Sequence, residues 1–267
     1  AERGVIQEEL RTSETASWRA QIKMIKALGK GTLYEDRNLI GYLDGLASFT
    51  YDDIREFYHK WYRPDYQTVV VVGDIDVDKV EQKIKTIMAD IPAAAPDAAK
   101  KDVIVVPDND EPIVSVNADP EMQQSNLMIF YKSQAMPKEM NNTMTYELLN
   151  IVKSYISSVM SERLSDISRK PNAPFIHAGF SPAGSFGICP TLEVTSGQVM
   201  TQDGKILEGY KALLTEMERM RRHGFTEGEW ERAKNNILSS LENQYKSRDD
   251  RRHSDYANMC IANFSDG

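Results

Sequence analysis

The sequence predicts an α+β protein in two parts, with mostly antiparallel sheets packed by long helices. Three observations predict it. Apolar residues recur at helical spacing over several long stretches, while short β-branched runs group between them. A Pro-, Ala- and Asp-rich segment, PAAAPDAAKKDVIVVPDNDEP at 92–112, then separates the halves and reads as a domain boundary.

Taken in order, residues 2–28 have the spacing of one long amphipathic helix closed by Gly29 and Gly31. Thr50, with Asp53 three positions on, starts TYDDIREFYHKWY, which stops before Pro64. After the RPD turn, QTVVVVGD at 67–74 is expected to be a buried strand. Asp76 caps a helix that Pro92 ends. Beyond the boundary, PIVSVNA and NLMIFYKS read as strands. Residues 139–168 form a long helix with an apolar stripe of Leu148, Ile151, Val152, Tyr155, Ile156 and Val159. Segments 174–181 and 186–195 read as a strand pair around Pro182-Ala183-Gly184. A helix over 201–223 follows, then one capped by Thr226 with Glu229 at capping-box spacing.

Composition narrows the function. A net charge of −8 argues against a general nucleic-acid surface, which needs clustered Lys and Arg. No apolar run is long enough for a membrane helix. Cys189 and Cys260 share no metal-type spacing and are expected to be buried free thiols.

Most motif-like stretches reduce to ordinary structure. GKGT at 29–32 follows a helix rather than a strand, so it reads as a C-cap and not a phosphate loop. His59, His177, His223 and His253 are scattered and make no paired metal motif. The basic cluster RMRRHG at 219–224 sits in a last helical turn, where it complements the dipole.

The acidic start, AERGVIQEEL, is more informative. Glu2 and Glu9 are seven residues apart, about 700° of helix rotation, so they share a face with about 10 Å between their Cα atoms. One metal ion cannot easily take both. One can ligate while the other orients a neighbouring ligand. Glu8 points about 100° away. On their own, two same-face glutamates also describe a solvated helix face.

E-R-G-V-I-Q-E-E, with R37-x-x-I-G41 and FYHKWYRPDYQTVVVVGDID, resembles the pitrilysin/insulinase family of zinc metallopeptidases. In these inverzincins an H-x-x-E-H motif supplies two histidine ligands and a general-base glutamate. The resemblance implies an α+β fold of the LuxS/MPP-like metallopeptidase type, present as two incomplete domains. Residues 1–92 are then the C-terminal part of a catalytic zinc-peptidase domain, 93–111 a linker, and 112–267 the N-terminal part of a second, non-catalytic domain. It makes Glu9 the zinc ligand and Glu2 the carboxylate behind it. ERLSDISRKPNAPF at 162–175 resembles a segment whose arginine, here Arg169, contacts substrate in some family domains. There the arginine is followed seven positions on by a tyrosine, whereas this chain has Ile176.

An internal repeat points the same way. GEWERAKNNILSSLENQ parallels AERGVIQEELRTSETAS, setting Glu231-Arg232 on Glu2-Arg3 and Leu238 opposite Glu9. One copy keeps a ligand-type carboxylate and the other an apolar residue.

H-x-x-E-H itself is absent from the sequence. The resemblance therefore implies a fragment of a zinc-dependent metalloendopeptidase that hydrolyses peptides in an enclosed chamber. The fragment alone is expected to be inactive and not to hold Zn2+. The alternative is a non-catalytic homologue acting as scaffold or partner subunit. Implied partners are peptide substrates and the remaining N- and C-terminal parts of the same protein, with a homodimer or domain swap as a further expectation. Family analogy favours a bacterial periplasm or cell envelope.

Overall fold

The computed structural model describes residues 2–187 and 189–266. The expected strand 186–195 includes Ile188, which lies outside the described residues. The chain divides into two compact units, one of Ala1–Glu9, Leu39–Val103 and Ser247–Gly267, the other of Leu10–Asn38 and Ile104–Lys246.

Where periodicity predicts one helix over 2–28, the structure has two, α1 (Glu2–Ser13) and α2 (Ala16–Leu28). The break falls at Thr15, which takes an extended conformation and accepts a hydrogen bond from the Trp18 N–H on Oγ1 at 3.2 Å. An N-cap inside an unbroken apolar pattern restarts the helix. Gly29 ends α2 as expected, its N–H bonding to the Ile25 carbonyl at 2.8 Å. A Cβ there would lie 2.8 Å from that of Tyr34, so the close approach requires glycine.

The first unit continues through α4 (Leu43–Ser48), α5 (Tyr51–Trp61), a single 3-10 turn at Pro64–Tyr66, and α6 (Val77–Met88), α3 (Leu33–Asp36) having preceded them in the second unit. The capping box of α5 is present, with Asp53 N–H on Thr50 Oγ1 at 3.2 Å and Thr50 N–H on Asp53 Oδ2 at 2.6 Å. Asp76 caps α6.

The expected strand at 67–74 is not formed. The run is extended without a ladder partner, and Val69 and Val71 are 53% and 47% exposed. PIVSVNA at 112–118 likewise forms no strand, and Val114 and Val116 are exposed. A strand needs a neighbour to take its N–H and C=O groups, and neither run is paired with a described segment. Among the described residues of the first unit no apolar side chain is buried, and Arg63 is. Arg63 donates to both Asp65 carboxylate oxygens and to the Ala99 carbonyl at 2.9 Å, with its guanidinium 4.6 Å from the Tyr66 ring centre. This fastens the RPD turn to Ala99, near the end of the 39–103 segment. The unit ends in α10 (His253–Asp266), a helix not anticipated from the sequence. Cys260 lies on it and is exposed, which corrects the expectation of two buried thiols; Cys189 is buried. Among the residues around Cys260, Tyr256, Met259, Ile261 and Phe264 are exposed too, so α10 offers no cover for the thiol.

The second unit holds β1 (Ser125–Gln134), α7 (Met144–Ser168), β2 (His177–Ser185), β3 (Leu192–Thr201), α8 (Ile206–His223) and α9 (Glu227–Lys246). The strands form one antiparallel sheet in the order β1-β3-β2, with Ser125 opposite Thr201 and His177 opposite Met200. Pro182-Ala183-Gly184 is not the expected turn. β2 runs through it with a bulge between Ser181 and Gly184, and the connection falls after Ser185. Proline cannot donate to a ladder, so an edge strand with a bulge is where it fits.

One sheet face packs on α7 and α8 around Leu164, Phe175, Ala178, Val199 and Leu213. The opposite face gathers Leu192, Val194 and Cys189 against Phe130, Phe186, Tyr34 and Val106. Of the predicted α7 stripe only Val159 is fully buried, and Leu148, Ile151 and Val152 are exposed. α9 is tied to α7 by a stack of Trp230 on Tyr155, 4.2 Å between ring centres, and by Arg163 donating to Glu229 Oε2 at 2.8 Å. Glu229 also closes the capping box, accepting from the Thr226 N–H at 2.8 Å. That bond to Arg163 holds the Glu229 carboxyl well below the usual range, at about 2.

Candidate functional site

Helix α1 is regular from Glu2 to Ser13, so the rotation assumed between Glu2 and Glu9 holds along its whole length. Both glutamates are exposed. The structure therefore presents two carboxylates on one solvent-facing helix surface, with Glu8 turned off it.

As a metal centre this donor set is partial. Zinc takes three or four nitrogen, sulfur or oxygen ligands converging within about 2 Å. No group of three His, Cys, Asp or Glu able to hold a metal occurs among the described residues. Glu9 fits one carboxylate corner of such a site. By themselves the described residues of this chain do not fit a zinc ion.

Arg3, which sequence reasoning left without a role, is the most engaged side chain on the first turn. Nη1 donates to the Ala47 carbonyl at 3.2 Å, Nη2 donates to the Phe49 carbonyl, and the guanidinium carbon lies 4.6 Å from the Phe49 ring centre. In the repeat, Arg232 of α9 donates from Nε to Glu162 Oε1 of α7 at 2.7 Å. Leu238, at the place of Glu9, is exposed.

Arg169 caps the C-terminus of α7, with its side chain 76% exposed and 3.7 Å from Asp166. Ile176 is exposed, whereas Phe175 is buried in the core against Leu164 and Leu213. The ring nearest the place of the family's tyrosine is thus committed to packing. The four histidines are all exposed and far apart in sequence. The basic cluster at 219–224 lies in the last turn of α8, where Arg221 and Arg222 share Glu218. No helix among the described residues is long and apolar enough to cross a membrane.

Comparison with known proteins gives a consistent result. Residues 48–237 match the family described as peptidase M16 inactive domain. A protein of Escherichia coli named "Probable zinc protease PqqL" is 28% identical over 243 residues, which cover 91% of this chain and 25% of that protein. A "Zinc protease PQQL-like" of Arabidopsis thaliana is 27% identical over 249 residues, covering 93% of this chain and 22% of that protein. The crystal structure of the first half of the periplasmic protease PqqL from Escherichia coli superposes with a TM-score of 0.78 at 24% identity, covering 99% of this chain and 55% of that one. At that identity the likeness speaks to the fold. The chain spans about a quarter or less of the length of the curated relatives it matches.

Proposed function

The chain belongs to the peptidase M16 inactive-domain family of zinc-protease relatives, and from that premise we propose that it is an internal portion of a zinc-dependent metalloendopeptidase that cleaves peptides within an enclosed chamber. Residues 1–92 contribute the last part of the catalytic domain, 93–111 link, and 112–267 begin the non-catalytic domain. Glu9 is the zinc ligand offered by this chain and Glu2 the carboxylate that orients the ligands around it. Arg169, exposed at the end of α7, is the residue offered to substrate.

The observation that carries this reading is the same-face Glu2/Glu9 pair on the exposed surface of α1, in a chain whose relatives are named zinc proteases. A subunit freed from catalysis has no physical need of that carboxylate spacing. When bound, the metal would supply an activated water and polarise the scissile carbonyl. The two histidines and the general base of H-x-x-E-H come from another part of the protein, so the 267-residue chain is inactive and does not retain zinc alone. The exposed Tyr51, Phe57, Tyr58, Tyr62, Val69 and Val71 of the first unit support this, since a surface that apolar marks contact with further protein. The rest of the same protein is the natural cover, and a swapped homodimer of the isolated chain would use the same surface. A bacterial periplasmic setting is proposed from the similar protease so described.

The test compares the isolated chain with the intact protein. The isolated chain is expected to show no chelator-sensitive peptide hydrolysis. The intact protein is expected to bind zinc and cleave peptides, and to lose both with Glu9→Gln. An intact protein with neither property would be a non-catalytic scaffold instead.

A further inference from the structure

Arg163 of α7 stands at the corner between α8 and α9, within reach of two carboxylates, one from each helix. Nε donates to Glu229 Oε1 at 2.5 Å and Nη2 to Glu229 Oε2 at 2.8 Å, and Nη2 also meets the Gly224 carbonyl at 3.0 Å. Nη1 is buried and bonds to nothing among the described residues, and the same holds for Glu216 Oε2 on α8. The Arg163 and Glu216 side chains are only 12% and 10% exposed. We propose that Arg163 is a two-position latch: it holds Glu229 of α9 in the described arrangement, and takes Glu216 of α8 when the start of α9 swings away.

A guanidinium keeps its charge at any working pH, so Arg163 cannot shed it when a partner leaves. With Glu229 as sole partner, opening of α9 would strand that charge, and an uncompensated buried charge costs far more than a broken surface pair. Glu216 removes that penalty. The Glu229 hydrogen bonds raise the Arg163 pKa against the opposing effect of burial, and the Glu216 charge adds to the rise, so the second carboxylate already acts on the guanidinium. Glu216 Oε1 accepts from Nη1 of Arg219 at 3.3 Å, a long bond to a side chain 62% exposed. Oε2 is left to receive Nη1 of Arg163.

The corner is built to open. Gly224 ends α8 with φ at +64°, and a Cβ there would meet nothing within 4 Å. A glycine in open space absorbs a change of φ and ψ at little cost, as hinge positions do. The ties of α9 to α7 gather in its first two turns, where Trp230 stacks on Tyr155, Arg232 bonds Glu162 and Ala233 is buried. Farther along, Leu238, Leu241 and Tyr245 are exposed. A 20-residue helix fastened at one end leaves or stays as a unit, and the Arg163–Glu229 pair sits at that end.

The experiment compares the intact protein with its Glu216→Gln, Glu229→Gln and doubly substituted forms. Glutamine at 229 preserves the capping box, so the change tests the charge alone. Hydrogen exchange is followed across residues 226–233 of α9 and 159–166 of α7, and the Glu229→Gln protein is crystallised. Glu216→Gln by itself is expected to leave exchange in both segments unchanged. Glu229→Gln should quicken exchange about tenfold across 226–233 while 159–166 stays protected, with Nη1 of Arg163 now bonded to Glu216 Oε2 in its crystal structure. The double variant should lose protection in 159–166 as well, about tenfold beyond the product of the single changes. Single effects that multiply with no such excess overturn the proposal. So does a Glu216→Gln protein disturbed as strongly as Glu229→Gln, since Glu216 would then be a working partner already. If the double variant does not fold, the Glu229→Gln crystal structure decides, and Nη1 and Oε2 still apart in it overturn the latch.

Discussion

Replacing Gly209 by alanine puts a methyl group into the tightest helix–sheet approach in the second unit. On α8, a Cβ at this position would lie 2.6 Å from Cγ2 of Thr201 and 3.2 Å from the Pro174 carbonyl oxygen. Carbon atoms rest about 3.5–4.0 Å apart, so roughly 1 Å must be found. Thr201 is fully buried and β-branched, and the Pro174 oxygen is backbone, so neither can swing away. Overpacking of this kind costs about 1–3 kcal/mol, and the upper end applies here. Alanine recovers about 1 kcal/mol of helix propensity. The net expectation is about 2 kcal/mol of destabilisation, close to a thirtyfold change in the unfolding constant. With a urea slope of about 2 kcal/mol/M the midpoint falls by about 1 M. The transition is followed by far-UV circular dichroism and by the fluorescence of Trp18 and Trp230, which lie in the second unit with Gly209. Gly197→Ala is the internal control, because its Cβ meets the ends of Leu213 and Met217 at 3.0 and 3.3 Å, and these can yield. A Gly209→Ala protein as stable as wild type, or one less affected than Gly197→Ala, would refute the packing argument.

Other outcomes follow from named contacts. The Glu229 carboxyl, held at about 2 against an ordinary 4.5, has a depressed folded pKa. Its contribution is complete above pH 4.5 and is lost as pH falls toward 2. Glu229→Gln should lower stability by about 1.5–3 kcal/mol at neutral pH and flatten the acid loss over that window. An unchanged acid profile counts against the pair. Arg19 donates to Asp119 at 2.7 and 2.9 Å and to Glu121 at 2.7 Å, all within the second unit. Arg19→Ala should speed proteolytic cutting near 119–121 while leaving the β1–β3 pairing intact, and equal cutting rates would dismiss the bridge. Gly4→Ala, with open space around its Cβ, should raise stability by about 0.5–1 kcal/mol; a loss would mean the site is packed after all.

Local signals were legible and non-local ones were not. Thr50 with Asp53, Asp76, and Thr226 with Glu229 act within one helical turn, and each caps the helix it was read to cap. Thr15 carries the same chemistry, but its third residue is Trp18 rather than an acid, and the apolar pattern runs straight across it. The valines at 69–72 and 114–116 meet the local demands of a strand and lack a neighbour to pair with, which no local pattern reveals. The same division governs the site. Helical period alone places Glu2 and Glu9 on one face. Arg3 reaches backbone carbonyls 44 and 46 positions away, and a carbonyl belongs to every residue, so nothing in the sequence marks those two.

The strand order bears on how the protein is made. β3 is the middle strand, yet it is the last of the three in the chain, so β1 and β2 have no partner until β3 exists. The 67 residues 135–201 are polymerised between the end of β1 and the end of β3, which takes a ribosome roughly 3–13 s. α7 is local and can coil in that interval, but its buried residues Val159, Met160 and Leu164 have no sheet to meet. The nascent chain therefore passes through a window of seconds in which two sticky strands and a half-dressed helix wait for one segment. Slow codons placed before residue 192 would lengthen that window, and the yield of folded protein should fall with them.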